Sequence, residues 1–306
     1  MATMNSFTDA SGHLPHLGVL RFTGPDALSF LQGQLSNDTQ RLAAGVPLLA
    51  AYSSPQGRVV AVMHLLPHSE GLLALLPREI VLPTLERLRK FVMRSKVTLE
   101  DVSDRFAVAG HHGAADLERW GLKAPDSARG YSEVDGVGVG RVGTTIDRYW
   151  IVGAHDELAT RGLPAATADG ENAWRLADIR AGLPQVYAAT REMFVAQMLN
   201  LDLLDGISFT KGCYTGQEII ARTQHLGRIK RRLFRLELPS GTWAIGQSVH
   251  LGDGRTGRLT ELAAADGHAE ALAVLTVEMG GMNLETDPDG TSAPLLDAKQ
   301  LPLPYV

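Results

Sequence analysis

Read for the spacing of apolar and polar positions, the chain falls into three blocks. In TGPDALSFLQGQLSND, Leu28, Leu31 and Leu35 recur at three- and four-residue intervals, the spacing that collects side chains on one face of a helix. Pro25 suits the first position of that helix, where its missing N–H costs nothing. Asn37 and Asp38 read as its stop and turn. A second block starts near Ala50. PQG at 55–57 is a turn signal, and 59–66 is an apolar strand. Leu85, Leu88, Phe91 and Val92 then form a helical stripe with Pro83 near its start. Residues 97–99, 106–109 and parts of 131–153 read as strands.

Between 160 and 170 the composition loosens to Ala, Thr, Gly and Pro, which marks a boundary. A helix follows in NAWRLADIRAG, with Gly182 placed to end it. From Arg228 the period changes. RLFRLEL alternates apolar and charged residues, as a half-buried strand does. LGDGRTGRLTEL places an Asp-Gly turn between strands, and ALAVLTVEM is one more strand. The C-terminal part is therefore expected to be a small all-β domain, a barrel, and the chain as a whole an α+β protein.

Composition changes the picture mainly by exclusion. The 306 residues exceed what one small core needs, so two or three domains are expected. No run of 18 apolar residues occurs, so no membrane span is expected. The stretch MATMNSFTDASGHLPHLG has neither a basic n-region nor an apolar h-region, and no Arg-rich amphipathic pattern. A cytoplasmic protein is expected. One cysteine excludes an internal disulfide and an all-Cys metal or Fe–S site.

Some patterns mislead. GVGRVG at 138–143 matches the dinucleotide-binding fingerprint, but TTIDRYWIVG follows it. That is a strand, where the fingerprint needs a helix N-terminus. The histidines offer no metal spacing, and His111 and His112, being adjacent, would face opposite sides of a strand. His64, at a strand end, and His68, at a turn, read as surface or packing residues. Ser208 is not in a nucleophile-elbow context. RIKRR at 228–232 is the densest basic run and fits either RNA phosphates or a solvated strand edge. The net charge of −5 weighs against direct tRNA contact.

The chemistry concentrates in KGCYTGQE at 211–218, which holds the single cysteine, Cys213. Thr215 with Glu218 three residues on reads as a capping box, with the helix starting at Gly216. Glu218 and Arg222 are spaced for a helix ion pair. Cys213 lies just ahead of the positive end of that helix, and Lys211 adds a second positive charge nearby. Both favour a thiolate. Gly212 and Gly216 would let the backbone pass a ligand closely. A buried, inert cysteine beside a tight turn fits the same letters.

The segment FVAQMLNLDLLDGISFTKGCYTGQEIIARTQHLGRIKRRL resembles the YgfZ family of folate-binding proteins, which is related to the T-protein, the aminomethyltransferase of the glycine cleavage system. FLQGQLSND at 30–38, RKFVMRSKVTLED at 89–101 and WRLADIRAGLP at 174–184 extend the resemblance over most of the chain up to about residue 238. It implies three domains arranged in a ring around a folate site. Residues 1–48 with 168–228 would form a discontinuous core domain, 49–167 an inserted α+β domain, and 229–306 the C-terminal β-barrel. It implies tetrahydrofolate or a derivative as cofactor. It also implies a role in the assembly, maintenance or repair of iron–sulfur proteins, including Fe–S-dependent tRNA-modifying enzymes, with Fe–S client or assembly proteins as partners. Cys213 would then be the functional thiol, with Lys211 beside it. Gln34, Asn37, Asp38, Arg180, Tyr214, Gln217, Glu218 and Arg222 fall in the matching motifs as folate-site residues. Gln32 is read there as a helix cap.

The chain departs from the T-protein pattern at two points. The acidic pair expected after the PQG turn is replaced by Ala61 and Val62. The glutamate of R-x-E-A-G is replaced by Arg180 in DIRAG, and Asp178 would substitute for it only with a two-residue shift. Trp174, which opens that helix, is either a platform for a flat pterin or a core tryptophan. These losses weigh against aminomethyl or methyl transfer, the alternative activity, and leave open whether the protein is an enzyme.

Overall fold

The computed structural model describes residues 12–127, 129–142, 147–225, 227–277 and 295–305. Most of the N-terminal stretch read for a leader lies outside the described residues, as do Gly143 of the GVGRVG run and the last two residues of ALAVLTVEM.

A two-residue strand, β1 (Gly12–His13), opens the described chain and belongs to the second of three sheets. The first sheet contains β2 (Leu17–Thr23), β3 (Leu48–Ser53), β4 (Val59–His68), β5 (Gly71–Pro77) and β6 (Thr98–Asp101), in the order β3-β4-β5-β2-β6. Helices α1 (Ala27–Gln34), α2 (Gln40–Ala43) and α3 (Val81–Arg89) accompany it. Leu31, Leu35, Leu85 and Leu88 are buried with Leu20, Phe22, Tyr52, Met63 and Leu65 in one core. Burying a side chain of this size contributes roughly 1.5–3 kcal/mol. Val59 and Val62 of β4 join a different core, with Phe194, Ala196 and Ile220. A strand covered on both faces has no polar side, which is why 59–66 reads as a continuous apolar run. The expected helical stripe ends early: α3 stops at Arg89, and Phe91 is exposed.

The second sheet, in the order β1-β7-β10-β9-β8, uses β7 (Phe106–His112), β8 (Tyr131–Val134), β9 (Val137–Arg141) and β10 (Arg148–Ala154). β9 pairs antiparallel with β10, so a strand follows the glycine run and the dinucleotide reading is correctly excluded. His111 meets Trp120 edge to face and His112 meets Trp174 edge to face, on opposite faces as the sequence required. Helix α4 (His155–Thr160) leads on to α5 (Ala168–Ala181). The Thr167 side chain accepts the Gly170 N–H at the start of α5, and Gly182 ends it at φ 66°.

An irregular segment then leads to α6 (Gln217–His225). The third sheet is formed by β11 (Arg231–Leu238), β12 (Ser248–Leu251), β13 (Thr256–Ala265), β14 (His268–Thr276), β15 (Leu295–Leu296) and β16 (Lys299–Leu301), in the order β15-β12-β13-β14-β11-β16. It is a curled, half-barrel-like sheet, where the sequence suggested a barrel. The α+β class holds. The boundary expected between 48 and 49 runs through one sheet, because β2 hydrogen-bonds to β5 and β6.

Candidate functional site

The KGCYTGQE loop is tied to α1 by its lysine. Lys211 Nζ donates to the carbonyl oxygens of Gln32, Leu35 and Asn37 at 2.7, 2.8 and 2.8 Å. Carbonyls at a helix C-terminus have no partner within the helix, so the ammonium caps α1 from a distant part of the chain. The Tyr214 ring lies 5.0 Å from Nζ. Burial pushes the Lys211 amine down to about 8, against the opposing pull of Asp38. Burial also raises the Tyr214 phenol to about 12.

The neighbouring residues are engaged in the same way. The Asn37 amide donates to the carbonyls of Leu49 and Asp205 at 2.8 and 2.6 Å. Asp38 accepts from the Gln32 amide and from the Gln40 N–H. Gln34 accepts the Thr215 hydroxyl at 3.4 Å, and the Thr215 N–H donates to the Gly33 carbonyl. The expected capping box is therefore not formed. Thr215 turns its hydroxyl to α1, and α6 starts at Gln217 after Gly216 at φ 83°. A side chain at Gly216 would meet the Ser54 carbonyl oxygen at 2.6 Å, so this turn requires glycine. Glu218 and Arg222 are exposed and, both being described residues, form no ion pair with each other. Gln217 is half-buried. Cys213 is exposed, with buried Tyr214 beside it. The loop is anchored through Lys211 and Thr215 and presents the thiol to solvent, so the cysteine is not buried.

A cavity of about 220 Å³ lies where the parts of the molecule meet. β3 and β4 contribute Leu48, His64 and Leu66, β9 and β10 contribute Arg141, Arg148 and Trp150, and the chain end contributes Tyr305. The rest of the wall comes from Ala181 and Leu183 after α5 and from Leu203, Leu204 and Asp205, at the inner end of the segment that leads to Cys213. His64 stacks on Trp150 with ring centres 4.2 Å apart. Burial and the nearby Arg148 push the His64 imidazole down to about 3, so the ring is neutral. Asp205 is held by Arg41 and Arg129.

None of the residues expected to hold folate lines this cavity. Trp174 is fully buried, packed against Gly110 and under the Arg148 guanidinium at 4.3 Å. It is the core tryptophan of the two readings. Arg180 reaches the other way, to Glu270 of β14 at 2.8 Å. Asp178 is buried and ion-paired with Arg148; burial raises its carboxyl, and Arg148 opposes that. Sequence reasoning missed Trp150, Arg148 and His64. The signal was present in RYWIVG, where positions 148 and 150 share one face of a strand. Ala61 and Val62 are fully buried apolar residues in the two cores either side of β4. Arg232 of the basic run is bound to Asp202 at 2.6 and 2.8 Å and is not available to a phosphate. Among the described residues no group of His, Cys, Asp and Glu could hold a metal ion, and no helix is long and apolar enough to cross a membrane.

The first and second sheets meet the segments at 181–205 and 304–305 around one cavity. The glycine cleavage aminomethyltransferase T of Bartonella henselae superposes over 97% of this chain and 86% of its own, with a TM-score of 0.65 and 14% identity, a likeness of fold. No family model matches the sequence. The tRNA-modifying protein YgfZ of Serratia proteamaculans is 30% identical over 97% of this chain and 94% of its own. That of Colwellia psychrerythraea is 32% identical over 73% of this chain and 70% of its own. That of Yersinia pestis is 28% identical over 94% and 89%. The chain belongs to the YgfZ family.

Proposed function

We propose that the chain binds tetrahydrofolate or a derivative in the central cavity. It would act in the cytoplasm as an accessory protein in the assembly, maintenance or repair of iron–sulfur proteins, including Fe–S enzymes that modify tRNA, with Cys213 as its reactive thiol. The cavity is the observation that carries this reading. Leu48, Leu66 and Leu183 offer apolar walls to a flat heterocycle, and Trp150 offers an indole face. Arg129 and Arg141 also line it, each paired with a carboxylate, Asp205 and Asp147, that a glutamate tail would have to displace or share. The buried Trp150 Nε1–H and the Arg148 guanidinium carry donors that no protein acceptor meets, a polar demand that fits a ligand with acceptors. Tetrahydrofolate would supply a one-carbon carrier. The chain's part is to bind and orient it, exclude water from the ring, and present a thiol on the same segment that lines the cavity.

Among the described lining residues Asp205 is the only carboxylate, and two arginines hold it. This weighs against aminomethyl transfer. The commitment of Arg232 to Asp202 likewise favours a link to tRNA through Fe–S client enzymes over direct binding by the basic run.

Anaerobic titration with tetrahydrofolate, followed by tryptophan fluorescence, tests the first half. Saturable binding is expected in both the wild type and Cys213→Ala. Its absence in the wild type overturns the folate reading. In cells lacking the endogenous protein, wild type should restore the activity of an Fe–S tRNA-modifying enzyme and Cys213→Ala should not; equal rescue would remove the thiol from the mechanism.

A further inference from the structure

Arg148 is the unusual group in the cavity wall. Its side chain is 1% exposed, so its charge has been taken out of water. Nη2 donates to Asp178, but Nε and Nη1 are buried with no hydrogen-bond partner. Leaving two nitrogens of a cation, with three N–H groups between them, unmatched is costly, and buried polar groups in folded proteins nearly always find a partner. The pairing with Asp178 fixes the guanidinium from one side. The Trp174 ring, 4.3 Å from its central carbon, covers one face. The other rings close to it, the imidazoles of His64 and His112, are both lowered by burial and by its charge and supply no anion.

We infer that Arg148 is a recognition residue whose unpartnered N–H groups donate to a carbonyl-type oxygen on the buried ring of the cavity ligand, with Asp178 as its positioning residue. This rests on the folate reading and refines it. Where the T-protein pattern supplies a glutamate to the pterin, an acceptor, this chain supplies a donor. Recognition therefore shifts toward the acceptor atoms of the heterocycle, of which the 4-oxo oxygen is the evident one. A 4-amino analogue puts a donor against the guanidinium and should be rejected.

The test compares folic acid with its 4-amino analogue, aminopterin, by calorimetric titration. Wild type should bind folic acid at least about tenfold more tightly, the size expected for one hydrogen bond to a charged group. Removing Arg148 alone strands the Asp178 carboxylate, so Arg148→Met is paired with the double variant Arg148→Met/Asp178→Leu, which leaves no buried charge behind. Thermal melts establish that the double variant folds. It should lose the preference for the 4-oxo ring while keeping measurable affinity for both ligands. Retention of the full preference in the folded double variant, or equal affinities in wild type, overturns the role of Arg148 and leaves the folate reading standing. Binding of neither ligand, nor of tetrahydrofolate, to wild type overturns both.

Discussion

At the scale of single residues, the site separates what holds the loop from what is offered to a reaction partner. Lys211 belongs to the first kind. The motif suggested a charge serving the thiol, but its three donors converge on three carbonyl oxygens at the end of α1. Sequence spacing could not show this, because the carbonyls lie more than 170 positions away along the chain. Lys211→Met keeps the aliphatic stem and removes the cap. It should destabilise the protein by about 1–3 kcal/mol, the cost of leaving buried carbonyls unmet. Lys211→Arg should not restore stability, since a planar fork cannot converge on three oxygens as an ammonium does. Denaturant midpoints check both, and a wild-type midpoint in Lys211→Met would refute the capping role. Cys213, exposed, should tolerate alanine with a change of no more than about 0.5 kcal/mol.

At the scale of elements, legibility followed burial. The alternating strand β11 and the Asp-Gly hairpin between β12 and β13 were readable because half-buried strands keep period two and tight turns have their own residues. Helix α5 and its terminator Gly182 were also readable. β2, β3 and β5 were not, because LGVLRFT, LLAAYS and GLLALLP are apolar runs without a clear period. The capping box failed for another reason: Thr215 had a better partner in α1 than in its own helix. Gly182 shows how an element end can reach the site. A methyl group there would meet the Tyr305 hydroxyl at 2.4 Å, and that hydroxyl donates to the Gly182 carbonyl at 2.8 Å while Tyr305 lines the cavity. Gly182→Ala should therefore cost about 1–2 kcal/mol from the left-handed backbone alone and should also weaken ligand binding by displacing the C-terminal tail. Tyr305→Phe, which keeps the ring, should show a smaller effect on both. An unchanged melting temperature in Gly182→Ala would show that the tail is not docked there in solution.

At the scale of the whole molecule, buried imidazoles occupy the seams between the parts. His64 of β4 stacks on Trp150 of β10, joining the first and second sheets. His112 of β7 meets Trp174 of α5, and His16, just after β1, lies 3.4 Å from Glu171 of α5. Burial, reinforced by Arg148 for His64 and His112 and by Arg175 for His16, lowers the three from 6.5 to about 3, about 4 and about 3 respectively. In the unfolded chain each takes up a proton near its ordinary value. Below pH 6.5 the unfolded state then binds more protons than the folded one, so stability is full above that pH and is lost as pH falls toward 4. Glu261 opposes this: burial raises it to about 7, so its own contribution weakens as pH rises from 4.5 to 7. Three histidines acting against that carboxylate should leave a net loss in acid, with each histidine contributing up to about 1.4 kcal/mol per pH unit. Urea unfolding at a series of pH values from 7.5 to about 4.5 measures the slope, and His64→Leu should flatten it by about one proton. His64 lines the cavity and His112 packs on Trp174 beneath Arg148, so ligand binding should fade over the same interval. A wild-type slope retained in His64→Leu would mean that the seam is not closed by a neutral imidazole and that the acid sensitivity arises elsewhere.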